Sequence, residues 1–394
     1  MRAQDAHAVT STLRRGRVAA GFAAVLAAGC GRAPVVAPKP ERPPVSLAIP
    51  APGDSTRLPR GQRFYHGLSY GSESQFSPLT QLVNEGFNNL GLESYDRRVF
   101  RLPYAQSARN LGYSLAHVQR AYGAYGWPRA VRNEILPLTA REGGQWVPNY
   151  QDHLVGSGMV SARLAEWYEA HGYAHPAVRA YLTMTASHVL NEIVERPQRL
   201  SVDALTDLLL FDNLGFVVFR SERVQRLFSG RVRFTNWPGQ PTLNFPDETL
   251  ENTGQEFVLR FPLPRTQRWR GMYFYGLTNL LGVSRDIGDG RSVSAGLGPG
   301  VSRIDVTDAS TDTRTVQVHP MMGLFYDRNG SLLASLLSDD SKGTLFSLNV
   351  YPGLVRIAGI TPGAWLAVRK DGGVRFGLAA PFGLGLGHSP PMHP

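Results

Sequence analysis

Acidic side chains and histidines recur within or directly before three apolar helical stretches, at 154–171, 176–195 and 202–219. In the second stretch, His188 and Glu192 are four residues apart and therefore share one helix face. Ionisable groups in apolar helices are costly unless they are paired, so the sequence predicts one buried site shared by the three helices. The candidate residues of this site are Asp152, His153, His188, Glu192, Glu195, Ser201, Asp203 and Asp207.

These residue types support two interpretations. In the first, the acids and histidines lock the helices together through charge-assisted hydrogen bonds. In the second, His153, His188, Glu192 and Asp207 bind a divalent metal ion, or act as acid and base on a lipid or glycan. The sequence contains no His-Glu-x-x-His motif, and its single cysteine, Cys30, is far from these residues. We therefore favour the structural interpretation and expect no cofactor, with a divalent metal ion as the alternative.

The order of these residues resembles a known pattern: Asp-His before a helix, Glu near the end of the next, then Ser, Asp and a closing Gly. It is similar to the VanZ-like and YfiM-type families of bacterial envelope proteins. The resemblance implies an envelope module but no particular activity. VanZ-like helices span the membrane, whereas Arg163 and Glu166 make the first stretch too polar for that. The matching positions are Asp152-His153, Glu192, Ser201, Asp207 and Gly215.

The N-terminus has the features of a secretory signal. Arg14, Arg15 and Arg17 precede an apolar stretch, 18–28, which ends shortly before Cys30. The stretch is too short to span a bilayer, and its ending resembles the signal of bacterial lipoproteins, in which the cysteine is acylated. The resemblance implies a Gram-negative envelope protein that its acylated Cys30 attaches to a membrane. Gly31 stands where an Asp often retains lipoproteins at the inner membrane, so we expect the outer membrane, facing the periplasm.

Charge narrows the expected partners. The chain carries a formal net charge of +10 at pH 7. An envelope location argues against nucleic acid, so attraction to anionic lipid or to lipopolysaccharide phosphates is the better explanation of that charge. No glycine-rich phosphate cradle follows a strand and opens a helix, so no nucleotide is expected. Another protein of the cell envelope is a further possible partner.

Changes in hydrophobic periodicity divide the chain and predict an α+β fold. After the signal peptide (1–29), a Pro-rich stretch (30–63) is expected to be a tether. Helical periodicity then predicts an α-helical module, and period-two alternation predicts a C-terminal antiparallel β domain. We favour a soluble sheet or sandwich for this domain, with a small β-barrel as the alternative. The module is expected at 64–229, the β domain at 230–388 and a disordered tail at 389–394.

The sequence thus predicts an outer-membrane lipoprotein with a non-enzymatic envelope role, either organising the envelope or binding a lipid or a protein at the membrane surface. One alternative is a periplasmic hydrolase, or a metal-dependent enzyme, that uses the His/Glu/Asp cluster on an envelope lipid or glycan. A second alternative is an integral β-barrel component of the outer membrane.

Overall fold

The computed structural model describes residues 45–47, 61–137, 147–245, 247–308, 313–338, 343–379 and 383–389. These residues belong to one compact unit that begins at Pro44. Cys30, the expected signal peptide, most of the expected tether and positions 390–394 of the expected tail lie outside the described residues.

Helices fill the first half of the described chain, and local signals set several of their ends. Ser77 caps the first helix by accepting a hydrogen bond from the backbone N–H of Thr80, with Pro78 as the first helical residue. Ser201 caps a later helix in the same way, through the N–H of Ala204. The α-helices are α1 (Pro78–Gly86), α2 (Tyr104–Ala116), α3 (Val118–Tyr125), α4 (Trp127–Ala130), α5 (Gly158–Ala170), α6 (Pro176–Glu195), α7 (Val202–Thr206), α8 (Asp212–Phe219) and α9 (Glu222–Arg226).

Wider and tighter helical turns join these helices. The π-helical segments are Val131–Ile135, Val147–Ser157, Asp207–Phe211 and Leu227–Arg231, and the 3₁₀ turns are Gly71–Gln75, Asn88–Gly91 and Val99–Arg101. Two of the π-helical segments continue directly into α5 and α8, and both carry residues of the predicted buried site.

The second half of the chain forms a large sheet. Its strands are β2 (Thr235–Asn236), β3 (Thr242–Asn244), β4 (Thr249–Glu251), β5 (Phe257–Pro262), β6 (Trp269–Tyr275), β7 (Leu280–Gly288), β8 (Arg291–Asp308), β9 (Thr313–Arg328), β10 (Ser331–Ser338), β11 (Thr344–Val350), β13 (Gly363–Arg369), β14 (Val374–Ala379) and β15 (Gly385–His388). Two further strands, β1 (Val45–Leu47) and β12 (Val355–Ile357), pair with each other. Thus three residues of the expected tether form a strand.

The large sheet is open and almost entirely antiparallel. Among the described residues its order is β2-β5-β6-β7-β8-β9-β10-β11-β13-β14-β15-β3-β4. Of the strand pairs in the described part of the chain, only β15 and β3 are parallel. The hairpin between β9 and β10 turns at Asn329 and Gly330, both of which have positive φ as a tight hairpin turn requires. The predicted α+β fold class, helices followed by an antiparallel sheet, is confirmed.

Helices and sheet share a hydrophobic core. Met159 and Leu164 of α5 and Phe219 of α8 belong to the same buried cluster as Phe257 and Tyr275 of the sheet. Within the described part of the chain, no helix is both long enough and apolar enough to cross a membrane.

Two glycines allow α5 and α8 to approach closely at the edge of that core. A Cβ on Gly158 would lie 2.9 Å from the carbonyl oxygen of Gly215, and a Cβ on Gly215 would lie 2.7 Å from that of Leu154. Both distances are too short for a side chain, so glycine at these positions sets the spacing of the helices. This crossing holds the residues of the buried site near one another.

Candidate functional site

Three helical elements bring two histidines and an aspartate together. His153 lies in the π-helical segment before α5, His188 lies on α6, and Asp212 is the first residue of α8. We call these three residues the central triad. In the described part of the chain they form the group of histidine and acidic side chains that could hold a metal ion.

The facing atoms of the central triad are close. His153 Nδ1 lies 3.3 Å from His188 Nδ1 and 2.9 Å from Asp212 Oδ1. His188 Nδ1 lies 2.6 Å from Asp212 Oδ2. Each histidine therefore directs its Nδ1 atom toward the same carboxylate, and the three side chains meet at one point.

The outer nitrogens of both histidines also meet polar groups. His188 Nε2 lies 3.0 Å from the hydroxyl oxygen of Ser157 and 3.9 Å from Oε1 of Glu85. His153 Nε2 lies 3.7 Å from Oδ2 of Asp207. Such outer contacts fix the orientation and the tautomer of an imidazole ring.

Burial and neighbouring charge shift the pKa values across this cluster. Burial lowers the pKa of His153, but Asp207 and Asp212 outweigh it and raise that pKa well above its usual value. Burial would raise the pKa of Asp212, but the two histidines lower it to about 2. Asp212 is therefore ionised at neutral pH.

The surrounding acidic residues have raised pKa values, in contrast to Asp212. Burial raises the pKa of Asp152 to about 7. It also raises the pKa values of Glu192 and Asp207 well above their usual range, and the nearby acidic residues add to both shifts. Asp212 is thus the acid in this cluster that the histidines keep ionised most strongly.

The structure places the sequence-predicted residues in different roles. His153 and His188 meet, and Asp207 lies beside His153. Asp152, Glu192 and Asp203 are at least largely buried in the same region, and Asp203 lies in the first turn of α7. Ser201 caps α7, and Glu195 accepts a hydrogen bond from Asn89, so both contribute to helix structure.

Asp212 and Ser157 were not among the predicted site residues. Asp212 follows Asp207 by five positions, which face different sides of a regular α-helix. The π-helical segment Asp207–Phe211, with its i to i+5 hydrogen bonds, brings both acids to the same histidine. The sequence carries a signal for Asp212 only as an acid within the apolar stretch 202–219.

Ser157, His188 and Asp212 lie in the order hydroxyl, imidazole and carboxylate, as in a nucleophilic triad. The Ser157 hydroxyl, however, donates its proton to the backbone carbonyl of Asp152 at 3.0 Å, and the residue is buried. The chain also has Gly-x-Ser-x-Gly spacing at 67–71, but this leads into a 3₁₀ turn rather than the strand–turn–helix of a nucleophile elbow. Neither serine is placed as a nucleophile.

The large sheet supplies a second candidate site, because its two faces differ in chemistry. One row of paired residues across the strands is buried, and we call it the inward row. The residues next to it in each strand point to the other face and are exposed or half-buried; we call them the outward row. The inward row is Ser284, Ser294, Phe325, Ser335, Asn349, Trp365 and Gly377. The outward row is Val283, Ala295, Leu324, Leu336, Leu348, Leu366 and Phe376.

The inward side also holds buried ion pairs. Arg260 pairs with Asp327, and Glu251 pairs with both Arg97 and Arg375. The second group lines a cavity of about 180 Å³. Polar and charged groups therefore lie inside, whereas the outward row is wholly apolar.

The chain matches no protein-family model, no curated protein and no solved structure. The resemblance to the VanZ-like and YfiM-type families, and to a lipoprotein signal, therefore stays a prediction from the sequence.

Proposed function

We propose that this protein is an outer-membrane lipoprotein, anchored through acylated Cys30, whose sheet lies with its outward row against membrane lipid. In this role the protein is non-enzymatic, and the buried cluster holds the helices together. The observation that carries the proposal is a contrast between the two faces of the same strands. The outward row is wholly apolar, whereas four of the seven residues of the buried inward row are polar, namely Ser284, Ser294, Ser335 and Asn349.

The outward surface is too large for an ordinary exposed patch. The row crosses seven strands, or six spacings, which at about 4.8 Å each gives roughly 29 Å. On β9 the alternation continues from Val316 through Val318 and Met322 to Leu324, all at least half exposed. The eight steps from Val316 to Leu324, at about 3.3 Å each, give roughly 26 Å along the strand. Apolar patches on monomers in water rarely exceed a few hundred Å², so a surface of these dimensions favours an apolar partner.

Lipid fits this surface better than a protein partner does. The outward row consists of aliphatic side chains and one Phe, and it contains no hydrogen-bonding or charged group that would orient a specific partner. Charged residues lie on the strands to either side of this row, with Arg285 and Asp286 on β7 and Arg303 on β8. Such an apolar zone with charged margins suits a bilayer, whose hydrocarbon region lies between polar head groups.

Single-cysteine labelling tests this proposal. In the full chain with Cys30→Ala, the sole native cysteine and its acyl anchor are both removed, so any lipid contact must come from the folded part. Cysteines placed at Leu324, Leu336 and Phe376 are labelled with an environment-sensitive fluorophore. Each is matched with an inward neighbour on the same strand, Phe325, Ser335 and Arg375.

The proteins are then mixed with vesicles of phosphatidylcholine and phosphatidylglycerol that carry a quencher on the acyl chains. We expect quenching at the three outward positions and none at the three inward positions. Outward labels that stay open to a water-soluble quencher would overturn the proposal. Protection without vesicles, together with a larger hydrodynamic radius, would show instead that a second copy covers this face.

The anchor is tested separately. The mass of the N-terminal peptide of the membrane-extracted protein should show a fatty-acylated Cys30, and Cys30→Ala should abolish that modification. An unmodified Cys30 would remove the lipoprotein part of the proposal and leave the sheet contact to the labelling result.

A further inference from the structure

We propose that His153, His188 and Asp212 bind one divalent transition-metal ion of the zinc type. This proposal does not rest on the proposed contact of the sheet with lipid, because the central triad lies among the helices. It differs from the ligand set suggested by the sequence, since Asp212 stands in place of Glu192 and Asp207.

The spacing of the three donor atoms suits one small ion. All three lie within 4.8 Å of one another. Ligands at about 2.0–2.1 Å from a tetrahedral ion are separated by roughly 3.3 Å, which is the distance between the two Nδ1 atoms. The Asp212 oxygens are nearer, at 2.9 and 2.6 Å from the histidines, so the carboxylate has to withdraw by roughly half an ångström to bind.

The contact between Asp212 and His188 is a second, independent indication. Although Asp212 Oδ2 lies 2.6 Å from His188 Nδ1, no donor among the described residues is aligned to form a hydrogen bond with this buried oxygen. This oxygen thus has an ion-pair contact but no aligned hydrogen bond, and a cation bound between it and His188 Nδ1 would supply the partner that it lacks.

The outer contacts of the histidines complete the arrangement. Histidines that bind a metal ion usually direct the other ring nitrogen at a carboxylate, a carbonyl or a hydroxyl, which fixes the ring and increases its basicity. His153 has Asp207 in this place, and His188 has Ser157 and Glu85. Both rings are thus held with Nδ1 toward the centre.

The donor types select the class of ion. Two imidazole nitrogens and one carboxylate suit Zn²⁺, Fe²⁺ or Co²⁺, whereas Ca²⁺ and Mg²⁺ prefer sites made only of oxygen ligands. The side chains of His153 and Asp212 are 13% and 16% exposed, so an ion can reach the triad from solvent. A coordination position open to water or to a ligand would remain beside three protein ligands.

The test uses the full chain, purified in detergent and stripped with a chelator, with Co²⁺ as the probe. We expect one Co²⁺ per chain, with visible d–d absorption of a four- or five-coordinate site, and its displacement by Zn²⁺. His188→Gln and Asp212→Asn should each abolish this absorption. The matched control is His117→Gln, which alters an exposed histidine that stacks on Tyr113.

Thermal unfolding in the chelator shows whether each variant is folded before Co²⁺ is added. A folded parent chain that binds no Co²⁺ overturns the proposal, as does Co²⁺ absorption that persists in folded His188→Gln and Asp212→Asn. Absorption lost only with Cys30→Ala would assign the ion to that cysteine and also overturn it. Because no vesicle is involved, these results are independent of the proposed lipid contact.

Discussion

Asp207 and Asp212 lie at the two ring nitrogens of one histidine, His153, although five positions separate them in the chain. The π-helical segment between them makes this arrangement possible. π-helical turns are rare in proteins, and they are frequently found at functional sites. This one places a carboxyl group at each ring nitrogen of His153, and Asp212 is the more strongly ionised of the two.

Asp212→Ala should strongly destabilise the protein even in a chelator, where no metal ion contributes. The substitution leaves His153 and His188 buried without the carboxylate that both face, and breaking a buried ion pair costs about 3–5 kcal/mol. Urea unfolding of the full chain measures the change. Ser157→Ala, which removes a neutral hydroxyl that contacts His188 and donates to the carbonyl of Asp152, should cost about 1 kcal/mol. Equal losses in the two variants would contradict a central role for Asp212.

The glycines at the crossing of α5 and α8 provide a second test. Gly158→Ala or Gly215→Ala would place a Cβ within 2.9 Å of a backbone oxygen, and such overpacking costs about 1–3 kcal/mol. The matched control is Gly112→Ala on α2, where a Cβ meets nothing within 4 Å. There alanine should stabilise the helix by about 0.5–1 kcal/mol. Stabilisation by alanine at all three positions would show that the helices can separate without cost.

The buried pair of Arg260 and Asp327 predicts a pH dependence. Burial raises the pKa of Asp327, and Arg260 opposes that shift. In Arg260→Met the opposing charge is gone, so the pKa of Asp327 in the folded state rises further above its value of 3.8 in the unfolded chain. A raised folded pKa stabilises the protein below the unfolded pKa, and this contribution is lost as the pH rises toward the folded value.

We therefore expect Arg260→Met to lose stability relative to the parent chain as the pH increases from about 4 upward, in urea unfolding at several pH values. The double variant Arg260→Met with Asp327→Asn removes the titrating carboxylate, so this additional loss of unfolding free energy with rising pH should disappear. A pH dependence of stability that persists in the double variant would contradict this prediction, because it would have to come from a group other than Asp327.

Part of this structure could be predicted from local signals. Pro176 starts α6, and Ser77 and Ser201 cap helices where their side chains can accept a hydrogen bond. The hairpin turn at Asn329 and Gly330 likewise forms where positive φ is needed. In each case the responsible interaction involves residues that are close in the sequence.

The remaining features depend on contacts that a local pattern does not contain. A change from i+4 to i+5 hydrogen bonding has no characteristic residue type, so the partnership of Asp207 and Asp212 could not be predicted from α-helical spacing. Alternation of period two shows that the faces of a strand differ, but it does not show which one is buried. Leu324 and Phe325 are both apolar, and only the fold buries the second.

This neighbouring pair gives the last prediction. Phe325 is 2% exposed and Leu324 is 53% exposed. In detergent solution, Phe325→Ser should cost at least about 3 kcal/mol of unfolding free energy, because it removes a buried ring. Leu324→Ser should remain within about 0.5 kcal/mol of the parent chain, as surface substitutions usually do.

In the presence of vesicles, Leu324→Ser should have an effect that it lacks in detergent solution. If Leu324 lies in lipid, serine there loses about half the burial free energy of a leucine, roughly 1 kcal/mol, which weakens vesicle binding about fivefold. Flotation of the Cys30→Ala chain with phosphatidylcholine and phosphatidylglycerol vesicles measures this, and Leu345→Ser on β11, also half exposed, repeats the test on another strand. Unchanged flotation of both variants would mean that these strands face water rather than lipid, because each substitution would then remove no buried apolar area.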